Sequence, residues 1–500
     1  MKAIFILFDS LNRLALENYG GENVKTPNFS RLANKSIVFD KHYVGSMPCM
    51  PARRDMHTGH LSFLHRSWGP LEPFDNSFPE LLRKKGIYSH LITDHYHYWE
   101  DGGGTYHNRF NSYEFVRGQE NDAWKAMVEP PWERFKKMYH PIQYSESWED
   151  KYSHYMVNRE YIKKEEDFTS YQCFELGLDF LNENHNADNW FLQLETFDPH
   201  EPFFSPERFR RDLPTDYDGP ILDWPRYDQV NETFEECEEL RANYYATVAF
   251  CDEQLGKILN YFDKYKLWKD TALIVSTDHG FLLGEHNWWA KNRMPIYEEL
   301  SHIPLFLYHP ELNGENKKSN YNFITQTTDL MPTVLEIFNQ KIPDEAKGIS
   351  IIQQIQNKEI CRDSAIFGYF GGAVNVVNQN YVYFRYPEKM SEQEVYQYTI
   401  MPTHLKKRFD LEELKNSVFH PGFNFMKNIP LFKIPVNLSN LELTNGFVDS
   451  DHLLYDLKKD PKQEAPLKSD NIEKSMIKHL FENLEINEAP NEVYERLLLK

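Results

Sequence analysis

An α/β fold, with a large, mostly parallel sheet sandwiched by helices and a smaller α+β domain at the C-terminal end, follows from three features of the 500-residue sequence. The first is a set of short apolar runs: Ala3 to Phe8, Ser89 to Thr93, Trp190 to Thr196, Ala272 to Thr277 and Ile303 to Tyr308. Runs of this length without polar alternation suit strands covered on both faces, as in parallel sheets. The second is helical spacing between them, as in Phe78 to Lys85 and Cys237 to Lys266; strands alternating with helices predict crossover connections. The third is a change after about residue 365, where candidate strands Ala373 to Val377 and Tyr381 to Tyr386 precede a Pro-containing irregular stretch and a last helix near Asn471 to Asn483. The large domain is accordingly placed at 1–365 and the smaller one at 366–500. An elaborated insertion is placed at about 110–166, where Trp, Tyr, Glu and Lys abound and periodicity is weak.

An apolar fraction of 41% with 15% aromatics supports packed cores, and no internal repeat points to a solenoid or propeller. The net charge of -21, without a compensating basic run, excludes nucleic acid as a partner and disfavours anionic lipid. A small anion is still bound if a metal or a few cationic side chains reverse the potential locally. The five cysteines, Cys49, Cys173, Cys237, Cys251 and Cys361, are scattered and form no CxxC pair, so neither a disulfide scaffold nor a zinc knuckle is expected, and a reducing compartment fits. No stretch of about 18 apolar residues predicts a membrane span. Ala3 to Phe8 is too short for a secretory core, so a cytoplasmic location is expected.

In open α/β sheets ligands collect beyond the carboxyl ends of the strands. Three of the runs end in polar clusters: Asp9, Asp198 with His200, and Asp278 with His279. Their convergence is the first functional expectation. A second comes from Pro48-Cys49-Met50-Pro51-Ala52-Arg53, followed by Thr58-Gly59. Pro51 favours a helix's first turn, which places Cys49 at the N-terminus, where amides and the dipole stabilise an anion. Arg53, four residues on, shares that face and points its guanidinium inward. Taken singly, each residue has a plainer reading: a buried thiol, a surface arginine, helix caps at Asp9 and Asp278, a loop histidine at His279.

Cys49, any residue, Pro51, any residue, Arg53 resembles the maturation signature of the type I sulfatases, within the alkaline-phosphatase-like superfamily. The resemblance implies that a formylglycine-generating maturation enzyme oxidises Cys49 to formylglycine. Asp9 matches the early metal carboxylate of that family and Asp278-His279-Gly280 the later pair, so Asp9, residue 49, Asp278 and His279 are the implied metal ligands. Ser10 is a departure, because many members carry a second acid there. Two carboxylates and a formylglycine oxygen suit calcium, while an imidazole also accepts manganese or zinc, and magnesium stays open. The segment from Gly280 through Glu285-His286 to Lys291 resembles the run that ends in a sulfate-binding lysine, which gives Lys291 a nonbridging oxygen to neutralise; His286 is read as structural. His200 in Asp198-Pro199-His200 matches the histidine facing the leaving group and is the candidate general acid. Thr93-Asp94-His95-Tyr96-His97 stands where members carry Lys-x-His, so His95 replaces the lysine beside the substrate and His97 retains the histidine. Thr328 to Thr333, Gly348 to Ser350 and Leu454 to Pro461 extend the likeness over nearly the whole chain, except about 110–166 and 388–445, which are assigned to substrate choice.

The implied chemistry is attack on sulfur by a hydroxyl of hydrated formylglycine, protonation of the departing alcohol by His200, and expulsion of sulfate once His97 deprotonates the second hydroxyl. The expected substrate is a small sulfated ester, in particular a sulfated mono- or disaccharide. Three alternatives stay open: a phosphonate monoester or phosphodiester hydrolase on the same fold, an inert glycan-binding relative in which Cys49 remains a thiol, and a cysteine hydrolase that leaves Asp9 and Asp278 unexplained.

Overall fold

The computed structural model describes residues 1–144, 153–313, 319–357, 362–437 and 447–499. Cys361 and parts of the two segments assigned to substrate choice lie outside the described residues. Eight strands form the large sheet: β1 (Lys2–Phe8), β2 (Ile37–Phe39), β3 (Tyr88–Thr93), β4 (Ser112–Phe115), β5 (Trp190–Thr196), β6 (Thr271–Thr277), β7 (Leu305–Tyr308) and β8 (Ser319–Tyr321). Their order is β8-β2-β7-β6-β1-β5-β3-β4. The block from β6 to β4 is parallel throughout. Three details refine the sequence reading. β7 runs antiparallel to β6, and Ile303 belongs to a separate short pairing with His42; apolar periodicity carries no information on strand direction. β4 is an edge strand of the main sheet, so the elaborated segment begins after Phe115 rather than near 110.

β1 shows why the strands read as continuous apolar runs. Its side chains alternate between two cores. Ile4, Ile6 and Phe8 pack with Phe174 and Leu181 of α2 (Thr169–Asn184) and Val248, Leu255 and Leu259 of α3 (Phe234–Tyr265). Ala3, Phe5 and Leu7 face Met50 and Met56 of α1 (Cys49–Thr58) and Met331, Val334 and Leu335 of the helix Leu330–Ile337. The 32-residue α3 begins at a capping box, Thr233 with Glu236. Among the described residues no helix is long and apolar enough to cross a membrane.

The register fixes the site. Phe8 lies opposite Thr196 on one side and Thr277 on the other, so the next residues, Asp9, Phe197 and Asp278, leave three adjacent strands at one level. A smaller sheet follows, formed by β9 (Ser364–Tyr369), β10 (Val374–Asn378), β11 (Tyr381–Arg385) and β12 (Leu453–Asp456) in antiparallel order. The helix Asp470–Ile486 packs on it through Met476, Leu480 and Leu484. β9 also pairs in parallel with Ser46–Met47, one residue short of Cys49.

Candidate active site

The residues singled out in the sequence meet at the carboxyl ends of β3, β5, β1 and β6. Cys49 is the first residue of its helix, and Arg53, one turn on, reaches beneath it. The guanidinium is 1% exposed and contacts three carboxylates: Asp9 at 2.9 Å, Glu195 at 2.6 Å and Asp278 at 2.5 Å. It also donates to the Cys49 carbonyl at 3.1 Å. Glu195, on β5, was not foreseen; it accepts further hydrogen bonds from Tyr98 at 3.0 Å and Gln193 at 3.2 Å. One cation thus organises the acids of three neighbouring strands, a geometry a planar, multidentate guanidinium provides and an ammonium does not. Burial works against the Asp9 carboxylate, but Arg53, Lys291 and His279 outweigh it and hold its pKa well below the usual carboxylate range.

Asp9, Cys49, Asp278 and His279 each present a ligand atom, and these atoms lie within 4.8 Å of one another, all buried. The His279 ring settles its own tautomer. Nδ1 lies 2.8 Å from the Gly280 carbonyl, which can only accept, so Nδ1 carries the proton. The lone pair on Nε2 then faces Cys49 Sγ at 3.2 Å. Two carboxylates with an imidazole lone pair and an outer-shell carbonyl fit a divalent cation. Gly280 is required by close approach, since a Cβ there would stand 1.8 Å from the Glu299 carbonyl. Ser10, the departure noted above, takes the left-handed region at φ 61°. Its hydroxyl donates to Asp9 at 2.7 Å and its amide to Asp278 at 3.0 Å, so it braces the carboxylates instead of adding one. Cys49 does not behave as a helix-start anion: burial first, and Asp9 beside it, push its thiol pKa well up.

On the substrate side Lys291 is 3% exposed, and its Nζ lies 3.3 Å from Ser10 Oγ and 3.7 Å from Glu201. Burial opposes its charge, yet Cys49, Glu201 and Asp9 hold its pKa above the ordinary lysine value. Ala290, directly before it, is also left-handed at φ 68°, a strained conformation of the kind stored at functional sites. His200 Nδ1 donates to the Glu201 carbonyl at 2.6 Å, leaving Nε2 as its reactive nitrogen. Burial and Lys291 lower the His200 pKa well below its usual value. Glu201 accepts from Tyr227, another partner the sequence did not disclose. His95 is buried with neither ring nitrogen hydrogen-bonded, and burial, with Arg53 nearby, keeps it neutral. His97 lies 5.1 Å from His95 and donates from Nδ1 to Glu100 at 2.7 Å. His286 stays outside this set: it stacks on Tyr297 at 3.5 Å and contacts Glu299.

A family model described as Sulfatase matches residues 2–340. The chain belongs to the sulfatase family. It is a sulfuric ester hydrolase, and a second model, the N-sulphoglucosamine sulphohydrolase C-terminal region, matches residues 284–420 of this sulfatase. The arylsulfatase of Clostridium perfringens is 24% identical over 386 residues, covering 71% of this chain and 78% of that protein. The N-acetylglucosamine-6-O-sulfatase of Bacteroides thetaiotaomicron is 24% identical over 401 residues, covering 71% of each. Among solved structures, BT4656 in complex with its substrate D-glucosamine-2-N,6-O-disulfate superimposes with a TM-score of 0.67 at 16% identity, covering 98% of this chain and 99% of that one. A phosphonate monoester hydrolase of Agrobacterium radiobacter gives 0.64 at 17% identity, covering 97% and 95%. At these identities the structural likeness speaks for the fold alone.

Proposed function

We propose that this sulfatase releases inorganic sulfate from a small sulfated saccharide, using a formylglycine made from Cys49 by a formylglycine-generating enzyme and a divalent cation, calcium first among the candidates. The observation that carries the reading is the meeting of Cys49 with Asp9, Asp278 and the His279 lone pair above the Arg53 hub. The saccharide is supported by the amino-sugar sulfatase among the relatives. A cytoplasmic setting belongs to the same proposal and is supported by four buried free thiols, Cys49, Cys173, Cys237 and Cys251; native protein recovered outside the cytoplasm would contradict it.

Asp9, Asp278 and His279 would hold the cation, which supplies Lewis-acid polarisation of the ester and a lower pKa for the attacking hydroxyl. Formylglycine supplies a geminal diol, one hydroxyl for attack and one whose deprotonation expels sulfate. Arg53 fixes the orientation of both aspartates throughout. Lys291 Nζ and a His95 N–H neutralise and hold nonbridging oxygens as charge builds on them. His200 delivers a proton from Nε2 to the leaving alcohol; a bound sulfate offsets Lys291 and raises the histidine's pKa when the proton is needed. His97, with Glu100 behind Nδ1, accepts the later proton at Nε2.

Peptide mass of natively matured protein, paired with release assays on an aryl sulfate and the matching phosphonate monoester, tests this. The expected result is a loss of about 18 Da at Cys49, the change from thiol to aldehyde at the nucleophile, with faster turnover of the sulfate. Faster turnover of the phosphonate would assign the rival hydrolase, and an unmodified thiol in active protein would end the formylglycine mechanism. An unmodified thiol in natively matured, inactive protein would favour the glycan-binding alternative.

A further inference from the structure

Beside the catalytic groups stands an acid that the mechanism does not use. The Phe197 ring packs against both His95, at 4.6 Å, and His200, at 4.4 Å. The Tyr96 ring lies parallel to Phe197 at 6.0 Å, and burial, with Glu120 nearby, pushes the Tyr96 hydroxyl pKa well up. Glu120 belongs to the segment after β4 and is half-buried. Among the described residues its Oε2 is inaccessible to solvent and receives no hydrogen bond.

The turn that carries Glu120 is over-determined. Glu120 itself is left-handed at φ 47°. Arg117 grips Asp122 with two hydrogen bonds of 2.8 Å, the Gly118 amide donates to the same carboxylate at 2.8 Å, and the Asp122 amide closes back on the Gln119 carbonyl at 3.0 Å. Gln119 Nε2 then donates to Asp198 at 3.0 Å, tying the turn to the segment that bears His200. Burial pushes the Glu120 pKa up to about 7, with Lys406 and Lys291 opposing the rise and Glu100 adding to it, and the Gln119–Asp198 bond holds its turn beside the segment that bears His200. A second acid here opposes binding of the sulfate itself, so a strained, fixed carboxylate with an unfilled acceptor has chemical use toward a hydrogen-bond donor.

We propose that Glu120 determines specificity, accepting a hydrogen bond from a hydroxyl or ammonium group of the sulfated saccharide. This rests on the saccharide sulfatase reading above. A site built to bond such a donor discriminates strongly against analogues that lack it, because its acceptor is then left buried and unpaired.

The test compares kcat/KM for glucosamine 6-sulfate, glucose 6-sulfate and para-nitrophenyl sulfate in matured wild-type, Glu120→Gln and Glu120→Ala proteins. The expected result is a fall of tenfold or more in the saccharide-to-aryl ratio for Glu120→Ala. A Glu120→Gln ratio that recovers with both sugars assigns a hydroxyl donor, and one that recovers with glucose alone assigns the ammonium. A saccharide-to-aryl ratio for Glu120→Ala within twofold of wild type overturns the proposal, as does a ratio that falls equally in a remote surface variant, Glu207→Ala. Calorimetry of glucosamine 6-sulfate with the Cys49→Ser protein reads the same acid without turnover. There, Glu120→Ala weakens Kd at least tenfold; an unchanged Kd, or no binding to either protein, overturns the proposal even where the wild type releases no sulfate at all.

Discussion

The floor of the site and its rim are built on opposite principles. On the floor, Arg53 is surrounded by Asp9, Glu195 and Asp278, and Glu195 receives Tyr98 and Gln193 besides. Elsewhere in the site, Lys291 has a 3.3 Å contact to Ser10 and a 3.7 Å contact to Glu201, and among the described residues the His95 ring forms no hydrogen bond and Glu120 Oε2 receives none. Two buried cations of equal formal charge are therefore placed differently: the arginine is engaged by the protein, whereas the lysine is the one that the proposed mechanism assigns to a ligand. Saturated groups give rigidity; unsaturated buried groups give affinity for whatever satisfies them.

The contrast breaks most directly at Arg53. Arg53→Met strips three buried carboxylates of their shared arginine, and removal of one partner from a buried pair costs about 3–5 kcal/mol. Chemical denaturation is expected to show that loss together with lost activity; a variant of wild-type stability would mean that the hub is dispensable. Lys291→Ala is expected to separate the two regions, with kcat lower by roughly 10²–10³-fold and a denaturation midpoint close to wild type. If stability instead falls as far as in Arg53→Met, the lysine belongs to the floor.

Metal binding sharpens the comparison from below. Calcium at about a hundredfold its Kd should stabilise the protein by about 2.7 kcal/mol, read as a shift in melting temperature that chelation reverses, and Asp278→Asn should abolish the shift. Smallest in effect is Glu100→Gln, which replaces the charged acceptor behind His97 with a neutral one and is expected to slow turnover by about tenfold, or about 1.4 kcal/mol. Because the proposed mechanism has His97 act after the alcohol has left, that variant should release alcohol in a burst before steady state. A slowing that scales with leaving-group pKa would move His97 to the first step.

What was legible in the sequence follows the same division. Asp9, Asp278 and His279 announce themselves because an apolar strand stops at each, and Cys49 with Arg53 because helical spacing puts them on one face. Glu195 gave a weaker signal: Gln193 and Glu195 interrupt an otherwise apolar strand on one face, and a buried acid requires a partner, although nothing in spacing says that the partner is Arg53. Glu120 and Tyr227 lie in segments without periodicity, where position depends on turns fixed by distant side chains such as Asp122 and Asp198. The reversed β7 was invisible because a buried strand reads alike in both directions.

The pairing of Ser46–Met47 with β9 has a consequence for anyone who would treat the C-terminal portion as an exchangeable cassette. Ser46 and Met47, separated from Cys49 by Pro48 alone, are an edge strand of that smaller sheet, and Gly368 donates to the Gly45 carbonyl at 3.1 Å. Grafting a foreign C-terminal half onto this chain would re-aim residue 49 along with the replaced sheet, so a chimera swapped near position 365 inherits its reactivity from both parents.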